Sequence, residues 1–288
     1  MKVKNKNIKI FLNVVSGPIL FVWIAYTVYK QIAGQPDLPL AMLYIKEALC
    51  SPQVWKLCLV ILLMVVNWMI EARKWQILMM PLQQLPFGIS FKSILAGVSI
   101  GVSTPNRIGE YGGRMLYVYE EVRLKSILMS LLGNISQLII TLLLGSIGLF
   151  IQKHIVFSAC AYYNVSQNWF QVFSWLISAT TIASIIFYFR AEKIPVLIGS
   201  IPFINKWSSK MNGLTEVNVT ILLRVLLLSA VRYFVFVCQY ILLLQLVHVE
   251  VNITDAFWLI SVLYLILAVI PGLTLLELGI RGMVAVLL

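Results

Sequence analysis

Two segments 167 residues apart carry the same set of side chains: Glu110-Tyr-Gly112-Gly113-Arg114 and Glu277-Leu-Gly279-Ile-Arg281 both read Glu-x-Gly-x-Arg. Each follows a proline, Pro105 or Pro271, by five or six residues. Glutamate and arginine at i, i+4 share a helix face and can pair. The surroundings are apolar, where each ionisable group costs ~2.5–3.5 kcal/mol on insertion scales, so their presence points to function. The chemistry on offer is recognition of an anion. A guanidinium grips phosphate or carboxylate with two parallel hydrogen bonds.

The first motif offers more than the pair. Thr104 reads as a helix N-cap and Pro105 as the first helical residue, so a new helix should start where the chain is deepest. Its free N–H groups and positive dipole end would face an anion, with Arg107 in the first turn. Gly109, Gly112 and Gly113 remove bulk, allowing close helix contact or the approach of a headgroup. The second motif has Pro271, Gly272 and Gly279 but Leu273 where Arg107 would stand, so the first site should be the more anion-selective. Arg232, eight residues deeper than Arg224, reads as a third phosphate ligand or as the partner of a motif glutamate. The candidate substrate-binding set is Thr104, Arg107, Glu110, Arg114, Arg232, Glu277 and Arg281. The competing reading is that each Glu–Arg pair neutralises itself and fastens two helices. Arg73, Lys74 and Trp75 read as an interfacial anchor, and Asn67, Asn134 and Gln137 as interhelical hydrogen-bond glue.

The elements that must position these groups are membrane helices. Sixty per cent hydrophobic residues, 11% charged and a mean hydropathy of +0.93 exclude an ordinary soluble domain. Full spans are expected at residues 11–29, 54–70, 126–151, 169–189 and 219–247, with a short interfacial helix at 38–49. The runs 89–102 and 257–270 are too short to cross alone: 14 helical residues cover only ~21 Å of a ~30 Å hydrocarbon core. Each is expected to enter, break at its proline and return as a re-entrant hairpin. Irregular backbone at that depth is tolerated where it lines a cavity or is buried in protein.

The expected fold is therefore all-α: a polytopic integral membrane protein of about five spans plus two hairpins. It forms one membrane domain, 1–288, with a first repeat unit at 1–125, a linking span and external loop at 126–168, and a second unit at 169–288. An odd number of spans precedes the second unit, which makes the repeat inverted, the arrangement of transporters with a midplane site. Symmetry calls for one more span after residue 281, and the sequence stops at Leu288.

The net charge of +11 does not indicate nucleic acid, because the basic residues sit mainly in short connections between apolar segments. That bias predicts that the N-terminus, with Lys2, Lys4, Lys6 and Lys9, lies on the cytoplasmic side of the membrane. The run behind these lysines is long, and no small-residue cleavage site follows it, so a retained span is expected rather than a signal peptide. Cys50, Cys58, Cys160 and Cys238 form no CxxC pair, and His154 and His248 lie 94 residues apart. No metal or cofactor is expected.

The segment Asn67-Trp-Met-Ile-Glu71-Ala-Arg73-Lys74-Trp75, then Thr104-Pro105-Asn106-Arg107-Ile-Gly109-Glu110 and Glu277-Leu-Gly279-Ile-Arg281, resembles the lysylphosphatidylglycerol synthase transmembrane-region family. That family comprises the flippase-like membrane part of the multiple peptide resistance factor and stand-alone proteins. The resemblance covers most of the chain; Asn106 departs from it where the family more often has a small residue. It implies movement of aminoacylated phosphatidylglycerol between leaflets, with synthesis done by a separate soluble domain for which 288 residues leave no room. The leading expectation is a lipid translocase or lipid-binding transporter for an anionic or aminoacylated phospholipid or a polyprenyl-phosphate-linked substrate. Its partners would be membrane lipids, with a homo-oligomer or a partner lipid synthase as further options. One alternative is an intramembrane enzyme on lipid phosphates, with Glu110 or Glu277 as general base. The other is a non-catalytic partner of a lipid synthase.

Overall fold

Apolar runs bounded by charged or turn-forming residues become helices throughout the computed structural model, which describes residues 38–102, 104, 107–162, 166–190, 217–247, 249 and 252–269, with isolated positions between 22 and 33. No strand occurs among the described residues. The helices are α1 (Leu38–Cys50), α2 (Val54–Met79), α3 (Phe87–Val102), α4 (Gly109–Met115), α5 (Arg123–Ile151), α6 (Lys153–Tyr162), α7 (Gln167–Phe189), α8 (Val219–Leu246) and α9 (Ile253–Val269). Four of them, α2, α5, α7 and α8, are long and apolar enough to cross a membrane. The chain is an all-helical, polytopic membrane protein.

The outward faces of those four helices fit that reading. Trp55, Ile61 and Leu62 on α2, Ile151 on α5, Trp175 and Leu176 on α7, and Leu227 on α8 are all more than half exposed. Water would not tolerate so continuous an apolar surface on a monomer, whereas acyl chains cover it without penalty. Inside, α8 packs along α2, α9 along α5, and α5 touches α2, α7 and α8. Gly145 and Gly148 of α5 allow the close approach of α9: a Cβ at Gly145 would sit 2.5 Å from Leu265 Cβ. Gln152 at the end of α5 donates to Asp255 Oδ1 of α9 at 2.9 Å and ties the same ends together.

The first hairpin is present, as the short apolar run requires. Helix α3 has 16 residues and spans only ~24 Å, and α4 folds back against it. Glycines on both sides set the spacing. A Cβ at Gly113 would lie 2.6 Å from the Ala96 carbonyl oxygen and from Gly97 Cα, and one at Gly109 would lie 2.7 Å from the Ile100 carbonyl oxygen. Gly97 and Gly101 face Glu110 in the same way. Gly112, in contrast, points into open space.

Three expectations need correction. Helix α2 does not end near residue 70 but runs on to Met79, because its last turns pack on α3, α5 and α8 instead of meeting an interface. Helix α4 starts at Gly109, not at Pro105. Thr104 caps it from a distance: its Oγ1 accepts from the Gly109 N–H at 2.7 Å, five residues on, and donates back to the carbonyls at the end of α3. Arg107 therefore lies in the turn before the helix, in the left-handed region with φ 55°. The span at 11–29 apart from isolated positions, the connection at 194–218 up to residue 216, and the second motif from residue 270 lie outside the described residues. So do Ser103, Pro105 and Asn106.

The glycines give a sharp contrast. Gly113→Ala should strain the hairpin against rigid backbone, costing about 1–3 kcal/mol as overpacking does, while Gly112→Ala should leave thermal stability of the purified protein unchanged. Equal melting temperatures for both variants would contradict the close packing of α3 on α4.

Candidate functional site

Helix α2 sets up the site. Asn67, Glu71 and Lys74 stand at i, i+4 and i+7 and share one face, with Trp75 beside them. That face turns inward: Asn67, Glu71, Lys74 and Trp75 are all buried. The interfacial anchor expected at Arg73, Lys74 and Trp75 is thus corrected for two of its three members, since only Arg73 is exposed, bonding Gln76 on its own helix. A Trp and Arg/Lys cluster resembles an interface in composition alone; here α5 and α8 cover it.

Glu71 is the centre of a charge cluster built by four helices. One carboxylate oxygen, Oε1, accepts from Arg114 Nη2 of α4 at 2.9 Å. The other, Oε2, accepts from Arg232 Nη1 of α8 at 2.6 Å and lies 3.2 Å from Lys74 Nζ. Arg232 Nε donates to Asn67 Oδ1 at 2.6 Å, so α8 holds two residues of the α2 face at once. Lys74 Nζ also donates to the Gly133 carbonyl of α5 at 3.2 Å. The Glu110–Arg114 pair forms as its spacing demands, and Arg114 shares its Nη2 between Glu110 and Glu71. The guanidinium stacks over the Trp75 ring, 5.5 Å from its centroid, and Arg232 lies over Phe236 at 5.2 Å.

The cluster lies deep. Arg232 is 13 residues into a 28-residue helix, ~20 Å from its start. Around it, buried hydroxyls pair across helices: Ser136 of α5 and Ser229 of α8 are 2.7 Å apart, and Tyr188 of α7 donates to the Leu222 carbonyl of α8. The glue residues divide. Asn67 holds Arg232, Asn134 donates to the Tyr111 hydroxyl of α4 at 3.0 Å, and Gln137 Oε1 has no partner among the described residues.

The electrostatics are unbalanced. Lys74, Arg114 and Arg232 supply three positive charges against Glu71 and Glu110, leaving one in excess among the described residues. Glu277 and Arg281 lie outside them. Access is also uneven. Arg114 is 2% exposed and turned to two carboxylates, which makes it a fastener of α4 to α2. The Arg232 side chain keeps 21% of its surface and the Glu110 side chain 19%. Arg107 is exposed in the turn, and no ion pair engages it among the described residues. Thr104 serves the turn itself. A seven-residue α4 offers little dipole, so any anion affinity at its start rests on Arg107.

Arg232 pairs with Glu71, outside both motifs, rather than with Glu110. The signal for Glu71 and Lys74 is positional: Asn67, Glu71 and Lys74 fall on one face of a helix that is apolar from Leu57 to Val66. No group of His, Cys, Asp or Glu able to hold a metal ion occurs among the described residues. No protein-family model, no curated protein and no solved structure matches this chain.

Removing the central carboxylate should leave Lys74 and Arg232 without a counterion and Arg114 with Glu110 alone. Glu71→Gln is therefore expected to cost about 3–5 kcal/mol, the scale of breaking a buried ion pair, and to abolish accumulation of folded protein. The exchange Glu110→Arg with Arg114→Glu should fail too, because it sets a carboxylate against Glu71. Recovery of either variant at wild-type yield and melting temperature would contradict the shared network.

Proposed function

We propose that the protein is a lipid translocase or lipid-binding transporter that holds an anionic phosphate headgroup at membrane depth. The observation that carries this reading is the single uncompensated positive charge in the cluster of Glu71, Glu110, Lys74, Arg114 and Arg232. Charge inside a bilayer is expensive, and an excess of one sign more so, unless an opposite charge arrives to meet it. Arg232 retains accessible surface, and a phosphate oxygen there would accept a charge-assisted bond. The short hairpin beside it supports the same view, since a helix that turns back at depth leaves room that a full span would fill.

Transport is favoured over chemistry because both carboxylates of the cluster are held by guanidinium groups and stand poorly placed to take a substrate proton. The resemblance to the lysylphosphatidylglycerol synthase transmembrane-region family supports a phospholipid as cargo, in a bacterial plasma membrane with the N-terminus cytoplasmic. Arg107 at the hairpin turn and Arg232 at the cluster are the two contacts for the headgroup.

Purified full chain in vesicles carrying fluorescent phosphatidylglycerol tests this. It should speed exchange of that lipid between leaflets, and phosphatidylcholine much less. Arg107→Gln should weaken phosphatidylglycerol binding by roughly ten- to a hundredfold, the loss of one charge-assisted bond of ~1.5–3 kcal/mol, with protein level unchanged. Unaltered binding by that variant, or equal exchange of the two lipids, would count against an anionic headgroup site.

A further inference from the structure

Of the three cations around Glu71, two can never lose their charge at accessible pH, because a guanidinium keeps its proton and an ammonium does not have to. Lys74 is the exception, and its setting suits both states. It is 1% exposed. Its two contacts, to Glu71 Oε2 and to the Gly133 carbonyl, are both 3.2 Å, longer than the 2.6 Å bond from Arg232 to the same carboxylate oxygen. A neutral amine still carries two N–H donors, one for each of those acceptors. Without the Lys74 charge, Glu71 keeps two guanidinium partners, so the network stays closed.

The charge count then becomes a switch. With Lys74 protonated the cluster carries one excess positive charge; with Lys74 neutral, two cations face two carboxylates and the cluster balances. We propose that Lys74 couples proton binding to anion binding: a phosphodiester headgroup at Arg232 is held together with the Lys74 proton, and release of one favours release of the other. This rests on the anionic-headgroup reading and adds a proton to the transported charge. Among the described residues, Lys74 is the one titrating cation paired with Glu71, the other two being guanidinium groups. Helix α2 contributes Glu71, α4 contributes Arg114 with its partner Glu110, and α8 contributes Arg232. On the helices packed around it, α5 has Arg123 and Lys125 in its first turn, and Arg73 of α2, Lys92 of α3 and Arg224 of α8 are exposed.

Binding of phosphatidylglycerol to the full chain in phosphatidylcholine nanodiscs, followed from neutral to about pH 10, tests the coupling, because that phosphodiester keeps one charge throughout. Wild-type affinity should fall at least about tenfold as Lys74 loses its proton. Lys74→Met should bind weakly at all pH values and Lys74→Arg tightly at all pH values, both without the pH step. Soluble glycerophosphoglycerol serves as the arm without acyl chains, and the same pH step in its binding places the effect at the headgroup. Should Lys74→Arg not fold, Lys74→Met alone decides, since its flat profile is required. Selective binding with a flat wild-type profile, or a step that survives in Lys74→Met, overturns the coupling but leaves the headgroup reading in place. Absence of any preference for phosphatidylglycerol over phosphatidylcholine overturns both.

Discussion

One buried carboxylate meeting three cations is the constraint on which the described part of the molecule depends. Glu71 receives Arg114 from α4, Arg232 from α8 and Lys74 from its own helix, and Lys74 in turn reaches α5. Three helices therefore have their relative rotation fixed by one side chain, and Lys74 adds the fourth. In a bilayer this is a stronger constraint than apolar packing, since lipid tails are as good a solvent for leucine as another helix. A leucine seam can slide; a buried carboxylate with three cationic partners cannot, because displacement strands a charge.

The hairpin depends on the same interaction. Helix α4 is only seven residues long and holds little stability of its own. Glycines bring it against α3, and Arg114 fastens it to α2 through Glu71 and to the cation–π face of Trp75. The Thr104 hydroxyl closes the turn by taking an N–H that the helix start would leave unpaired. These contacts place Arg107 outside the helix, in a left-handed conformation that side chains other than glycine adopt at some cost. Backbone strain of this kind persists where the surroundings over-determine it.

The sequence made the apolar spans legible because bilayer thickness imposes their length. The segments 126–151, 169–189 and 219–247 differ by three residues or fewer from Arg123–Ile151, Gln167–Phe189 and Val219–Leu246. The shortness of 89–102 foretold the hairpin for the same reason, and the i, i+4 spacing foretold the Glu110–Arg114 pair. What local reading could not supply was the role of Glu71 and Lys74. Their neighbours Arg73 and Trp75 give the stretch the composition of a membrane boundary, and the groups that bury it are remote: Gly133 is 59 residues away and Arg232 is 161. The helix start after Pro105 was displaced by a side-chain bond spanning five residues, which no spacing rule encodes.

A partly open guanidinium at the centre of an over-positive cluster makes one demand above the others: an anion should sit against it. The most direct measurement is an experimental density map of the full chain in phosphatidylglycerol nanodiscs. Headgroup phosphate density within hydrogen-bonding reach of the Arg232 guanidinium is the expected result. A map in which only acyl chains lie along that face, with Arg232 enclosed by protein groups alone, would contradict it.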